Sequence, residues 1–421
     1  MRPRRRQLPS IRSRRWVGPV AVAAVVAVIG GVLLLQPRIG GQVGPGAASQ
    51  AAGPGGGSAG SALPTAVPIP GHEVYGFIPY WEMDATLPDH VAETDLTTIG
   101  LFSVTHATNG SLRTNQTGYK RITGGVGQQL ISAARDHGTK VEIVYSSFGA
   151  SKNRTFYGRP AAQARWIKDL VAFVADQQLD GINVDVEALP PSLVPAYGAF
   201  VGRLREALVA RLPEAQLSVA TQANEVGAAM AAAASAAGAD RIFLMGYDYR
   251  VAASQPGAAA PIARVDGGTK NLVWSLDLYA SLGVPVQRTL LGLPLYGYTW
   301  PVVGPLIGAP SVHRGSIWVP RQNLRVFEAP SFAPTYDPTE SVEFYSVPNA
   351  SATPDPSGVG GSWNAVYYDS PRSLAPKLAL ADARGLAGAG FWAIGYERGL
   401  PGYTDLIKTF HAGKLEAGAA P

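Results

Sequence analysis

The sequence predicts an α/β protein built on a (β/α)8 TIM barrel, with a small insertion after the seventh strand, preceded by a membrane anchor and a flexible linker. Three observations predict the barrel. Eight short β-rich runs recur through residues 73–412. Ala-rich segments with helical spacing lie between several of them, which is the alternation of a parallel sheet. No Gly-x-Gly-x-x-Gly turn follows the first run, where a doubly wound open sheet holds a dinucleotide. With 421 residues and 46% hydrophobic content the chain can bury a core of that size.

The N-terminal elements come first. Residues 1–16 are a basic flank, with seven Arg between positions 2 and 15. Val17 to Leu35 is an uncharged run rich in Val, Ala and Leu, long enough to cross roughly 30 Å of hydrocarbon. The Arg-rich side is expected to stay cytoplasmic, so that residues 17–35 act as a signal-anchor. A cleaved signal peptide is the rival reading, with the Ala-rich segment near Ala47 as its cutting site. Residues 36–72 are mostly Gly, Ala, Pro and Ser, too poor in large apolar groups to fold, and read as a disordered tether. Residues 413–421 read as a disordered tail. The expectation is an extracytoplasmic domain tethered to the membrane, or a secreted one if the segment is cut.

Charge and composition narrow the partners. The formal charge is +5, but residues 1–72 hold eight Arg and no acid, leaving 27 basic against 30 acidic residues in the rest. The folded part is therefore slightly acidic, and no nucleic-acid partner is expected. Cysteine is absent, which excludes disulfides and thiolate metal sites. The six His are scattered without an i, i+4 pair, so neither a metal nor a cofactor is assigned.

The expected strands are 74–79, 97–104, 140–147, 181–187, 216–222, 241–249, 289–298 and 388–396. Helices are expected at Pro160 to Gln178, Val194 to Arg211 and Ser373 to Ala383. The Pro, Gly and Ser content of residues 301–363, with its short β-like pieces, marks the insertion.

The fourth run, GINVDVE, carries the chemistry. Alternation puts Ile182, Val184 and Val186 on one face and Asn183, Asp185 and Glu187 on the other. The apolar face meets the helices, so the polar face points into the barrel, at the end where barrel active sites lie. Asp185 and Glu187 are two positions apart on one strand, roughly 6 to 7 Å, and cannot easily flank a sugar ring. A double displacement then needs its nucleophile from elsewhere, and a 2-acetamido oxygen of the substrate is one source.

The segment Asp180 to Glu187 closely resembles the fourth strand of glycoside hydrolase family 18, the chitinase-like enzymes, whose pattern is D-x-x-D-x-D-x-E with the final Glu as acid/base. Asp180, Asp185 and Glu187 match, and Asn183 stands where the pattern usually has Asp. Met245-Gly246-Tyr247-Asp248 is similar to the family's M-x-Y-D, and Leu293-Pro294-Leu295-Tyr296-Gly297 to its seventh strand. Tyr367-Tyr368-Asp369-Ser370 and Gly390-Phe391-Trp392 are similar to the approach to strand eight. Ser146-Ser147-Phe148-Gly149 matches the third-strand S-x-G-G in part, and Phe77 replaces a first-strand Tyr. These departures resemble the bacterial spore-cortex and cell-wall branch.

The resemblance implies Glu187, Asp185 and Tyr247 as catalytic residues, with Asn183, Asp180, Met245, Asp248, Tyr296 and Trp392 binding substrate. Asn183 is expected to hydrogen-bond Asp185. Trp81, Trp300 and Trp363 are further candidates for stacking on sugars. The implied activity is hydrolysis of β-linked N-acetylglucosamine polysaccharide, chitin-like or peptidoglycan glycan, by substrate-assisted retention. A non-hydrolytic lectin-like relative is the alternative, and the presence of Glu187 speaks against it.

Overall fold

The computed structural model describes residues 71–349 and 362–415. The anchor, the linker up to residue 70 and the tail beyond residue 415 lie outside the described residues; His72, expected as the end of the disordered linker, instead stacks on Phe410 at 4.4 Å and bonds its carbonyl. No helix among the described residues is long and apolar enough to cross a membrane.

Seven barrel strands arrive in chain order: β1 (Glu73–Pro79), β2 (Thr98–Val104), β3 (Lys140–Phe148), β4 (Gly181–Glu187), β5 (Gln216–Gln222), β6 (Arg241–Met245) and β7 (Thr289–Pro294). Five further strands then form a separate sheet: β8 (Gly297–Val302), β9 (Ser316–Trp318), β10 (Thr335–Asp337), β11 (Val342–Pro348) and β12 (Trp363–Tyr368). The eighth barrel strand, β13 (Gly388–Trp392), pairs in parallel with both β7 and β1 and closes the ring. The (β/α)8 expectation is met.

The longer helices pack on the barrel through an apolar stripe. α1 (Leu87–Thr94), α2 (Thr117–Ile122), α3 (Gly125–Asp136), α4 (Ala150–Tyr157) and α5 (Pro160–Asp176) precede α6 (Val194–Arg211). On α6 the buried set includes Tyr197, Val201, Leu204 and Leu208, the three-and-four spacing of a single face. α7 (Glu225–Ala236), α8 (Leu272–Ser281), α9 (Leu324–Phe327), α10 (Pro371–Ala383) and α11 (Pro401–His411) complete the set. α10 starts two residues before its expected Ser373, because Ser370 and Ser373 form a reciprocal capping box and Pro371 enters the first turn.

The insertion is wider than its expected 301–363. The run 289–298 breaks after Pro294: the Leu295 amide donates to the Trp392 carbonyl at 2.8 Å, and from Gly297 the chain pairs antiparallel with β12 instead. The added sheet therefore spans residues 297–368, in the order β10-β11-β12-β8-β9. Periodicity does not reveal the break, since apolar content continues across it. The run 241–249 likewise ends early, at Met245.

Strand alternation divides the core in two. Ile182, Val184 and Val186 pack outward with the helices. A separate interior cluster contains Tyr75, Phe77, Phe102, Val144, Ala220, Phe243 and Leu290. Gly181 begins β4 where the neighbouring strand is closest: a Cβ there would lie 2.2 Å from the Gln216 carbonyl oxygen.

Low in the barrel the fully buried Glu142 accepts hydrogen bonds from Tyr75 (2.9 Å) and Ser218 (2.8 Å). Burial pushes its carboxyl up to about 8 against these bonds. The unfolded chain ionises this group near its ordinary value while the fold keeps it protonated, so stability is lost as pH rises toward 8. Glu142→Gln keeps an acceptor for one hydroxyl and a donor for the other, and removes the penalty. The variant is expected to gain on the order of 2 kcal/mol over wild type at pH 8 and little at pH 4, read by denaturant titration at both.

Candidate active site

The strand that enters at Gly181 delivers its polar face to the open end of the barrel. Asn183 is fully buried, Asp185 is 4% exposed and Glu187 is 8% exposed. The Glu187 backbone is clamped: its carbonyl accepts from the Asn153 amide at 2.7 Å and from the Gly149 N–H at 3.2 Å. Ala188 then takes a left-handed conformation, φ 56°, and turns the chain away. The Gln222 side chain, at the end of β5, donates to Glu187 Oε2 at 3.3 Å.

Asn183 does not hydrogen-bond Asp185 as expected. Both polar atoms of its amide, and Asp185 Oδ1, have no hydrogen-bond partner among the described residues. Buried polar atoms left this way are costly.

The electrostatics favour a protonated acid. Burial pushes Asp185 up to about 7, and burial together with the Asp185 and Asp248 charges holds Glu187 well above the usual carboxylate range. Glu187 feels two neighbouring charges as well as burial, and the proton is held on it the more firmly for that. Tyr247 is pushed up by burial and by Asp185, Asp248 and Glu187, so its hydroxyl remains a donor.

Asp248, at φ 62°, accepts from Tyr296 (2.6 Å) and Tyr298 (2.8 Å). Burial raises its carboxyl and these two bonds oppose the shift. The Tyr296 hydroxyl is thus engaged with Asp248, and Tyr296 acts on the site through that carboxylate. Met245 and Trp392, the last residues of β6 and β13, are half-buried against the interior cluster. Trp392 packs edge-on against Phe102, with centroids 4.8 Å apart, and lies 6.3 Å from Trp81. Phe148 stacks on Phe102 at 6.2 Å, which extends this aromatic cluster to the end of β3.

Two expected site residues lie elsewhere. Asp180 stands before the first residue of β4, at the far end of the barrel, about 20 Å along the strand from Glu187. There its carboxylate accepts from the Val141 N–H at 2.7 Å, which ties β3 to β4. Trp300 is fully buried in the inserted sheet, against Tyr298 and Tyr367. Trp81 is half-buried and donates to the Tyr396 hydroxyl at 3.2 Å, and Trp363 is half-buried on β12.

Gln222, Asn153 and Tyr298 were not singled out from sequence. Gln222 closes the run QLSVATQ and so sits at the catalytic end of its strand, a signal the sequence does carry. Asn153 is inside a helix and reaches the site only through tertiary contact. Among the described residues no group of three or more His, Asp or Glu is arranged to hold a metal ion.

The family model described as glycosyl hydrolases family 18 matches residues 73–397. The di-N-acetylchitobiase of Rattus norvegicus is 25% identical over 259 residues, covering 55% of this chain and 65% of the relative. The cortical fragment-lytic enzyme of Bacillus subtilis is 23% identical over 306 residues, covering 71% of this chain and 65% of the relative. The chain thus spans a little under two thirds of the length of these curated relatives. A solved structure of similar fold is the chitinase from Cycas revoluta in complex with (GlcNAc)3, with a TM-score of 0.65 at 19% identity, covering 80% of this chain and 99% of that one.

Proposed function

Because the chain belongs to glycosyl hydrolase family 18, we propose that it hydrolyses β-linked N-acetylglucosamine polymers by a substrate-assisted retaining mechanism with Glu187 as acid/base. The observation that carries this reading is the arrangement of Glu187 and Asp185 on one strand, both buried, with Asp185 Oδ1 left without a hydrogen-bond partner among the described residues. The other acid acting on Glu187 is Asp248, whose Oδ1 accepts from two tyrosine hydroxyls.

In this mechanism Glu187 donates its proton to the glycosidic oxygen as the C1–O bond breaks. The carbonyl oxygen of the 2-acetamido group bonds to C1 from the opposite face, forming a cyclic oxazolinium ion. Asp185 accepts the acetamido N–H through its unpartnered oxygen and stabilises the positive charge that develops on that group, while the Tyr247 hydroxyl fixes the acetamido oxygen. Water then attacks C1 as Glu187, now ionised, removes its proton. The anomeric configuration is retained because both attacks invert. Trp392 supplies the apolar floor beneath the reactive sugar.

We place this activity outside the cytoplasmic membrane, on the strength of the Arg-flanked apolar run at residues 17–35 and the linker behind it. The relatives named as a di-N-acetylchitobiase and as a cortical fragment-lytic enzyme support an N-acetylglucosamine-containing substrate for this chain. The test is to incubate the full-length protein, purified in mild detergent, with chitooligosaccharides and with peptidoglycan and to count new reducing ends. Release from at least one of them, with β-anomer product formed first by NMR, is expected. Binding without any new reducing end would replace the hydrolase with the lectin-like alternative.

A further inference from the structure

Among the described residues Lys152, near the strand ends that carry the site, has no anion as partner. Past the end of β2, Thr105 donates to the Ser146 carbonyl at 2.7 Å and accepts from the Lys152 ammonium at 2.7 Å. Ser146 stands beside Asp185 in the strand register. Lys152 lies in the first turn of α4, adjacent to Asn153, which clamps Glu187. The ammonium is therefore fixed beside the ends of β2 and β3, and Lys152 is half-buried there.

The charge acting on it is positive. Arg113 is brought to the same corner by its backbone, which donates to the Thr105 carbonyl at 3.0 Å. Burial and then the Arg113 charge push Lys152 down to about 8, and no carboxylate pulls it back. His106 beside them is buried, stacks on Phe156 at 4.0 Å, and is pushed down to about 4 by burial, Lys152 and Arg113, so it is neutral near pH 7. Neither cation is among the charges acting on Asp185 or Glu187, so Lys152 is not the counterion of the catalytic pair. A half-buried ammonium held by one neutral hydroxyl is short of a partner, and a carboxylate forms the strong, charge-assisted bond it lacks.

We propose that Lys152, with Arg113 behind it, is a specificity-determining subsite for a carboxylate carried by the glycan. It rests on the hydrolase reading above and deepens it: the substrate is an acidic N-acetylhexosamine polymer, such as one bearing lactyl ether carboxylates on alternate sugars, in preference to plain chitin. The sugar next to the cleaved bond presents its carboxylate to Lys152 while its neighbour occupies the Asp185 and Glu187 site.

The experiment compares the full-length wild type with Lys152→Met and Arg113→Gln on two glycans of similar length, chitohexaose and lactyl-bearing peptidoglycan strands. Lys152→Met is expected to lower kcat/KM on the acidic strands about tenfold and Arg113→Gln less, with chitohexaose turnover unchanged, which also shows that the variants fold. Reducing the lactyl carboxylates to alcohols is expected to erase the difference between wild type and Lys152→Met. Equal losses on both glycans, or no loss on the acidic one, overturn the subsite. If the wild type cleaves neither glycan, the hydrolase reading fails. Calorimetric binding of the same two glycans then decides the subsite: a preference for the acidic one that Lys152→Met removes supports it, and no preference overturns it.

Discussion

Glu187→Gln is expected to lower kcat by about three orders of magnitude while leaving the fold and oligosaccharide affinity in place, the range in which a positioned general acid contributes. The amide keeps the size of the acid and an oxygen for the Gln222 donor, so the β4 strand end and its clamp by Asn153 and Gly149 are undisturbed. What is lost is the proton. Burial, Asp185 and Asp248 all hold that proton on Glu187 above the usual carboxylate range. The sign for pH follows: the acid acts while protonated, so kcat/KM falls as pH rises through its displaced value. On the other side, activity falls as pH drops and Asp185 takes up a proton. Turnover and oligosaccharide binding measured on the variant separate loss of chemistry from loss of substrate. Unchanged turnover would remove Glu187 from its role, and loss of binding together with turnover would point to a misplaced strand.

The barrel was legible because its signals are local. Eight apolar runs with helical segments between them required no knowledge of tertiary contact, and β4, β5 and α6 were bounded within a residue of where they lie. The inward aim of Asn183, Asp185 and Glu187 followed from alternation alone, since Ile182, Val184 and Val186 had to face the helices. Other features were not local. The break between β7 and β8 is made by pairing of Gly297 with Tyr368, some seventy residues on, while the apolar pattern continues through it. Asp180 matched a sequence pattern, but its place at the start of the strand puts it at the wrong end of the barrel. Tyr298, like Tyr296, became part of the site through Asp248, whose left-handed backbone no periodicity predicts. The corner containing Lys152 depends on β2, β3 and α4 arriving together, and a lone Lys in a sequence gives no hint of it.

Asp185→Ala is the second variant with a large expected effect, and paired with a change in the substrate it tests where the nucleophile comes from. Asp185 Oδ1 is buried without a hydrogen-bond partner, and Glu187 beside it feels its charge. If the acetamido oxygen attacks C1, Asp185 must hold the N–H and oppose the positive charge of the cyclic intermediate. Its removal is then expected to lower kcat by about 10² to 10³, the range of a single preorganised electrostatic contact at a developing charge. An otherwise identical oligosaccharide with a free amine at C2 of the reactive sugar lacks the attacking oxygen altogether. Wild type should fail to cleave it, and the further loss from Asp185→Ala should vanish, because both changes remove the same step. Were Asp185 instead the nucleophile, the deacetylated oligosaccharide would still be turned over by wild type and a glycosyl adduct on Asp185 would be trapped by mass spectrometry. The geometry favours the first outcome, since Asp185 shares a strand face with the acid, and a displacement at C1 requires attack from the side away from the departing oxygen.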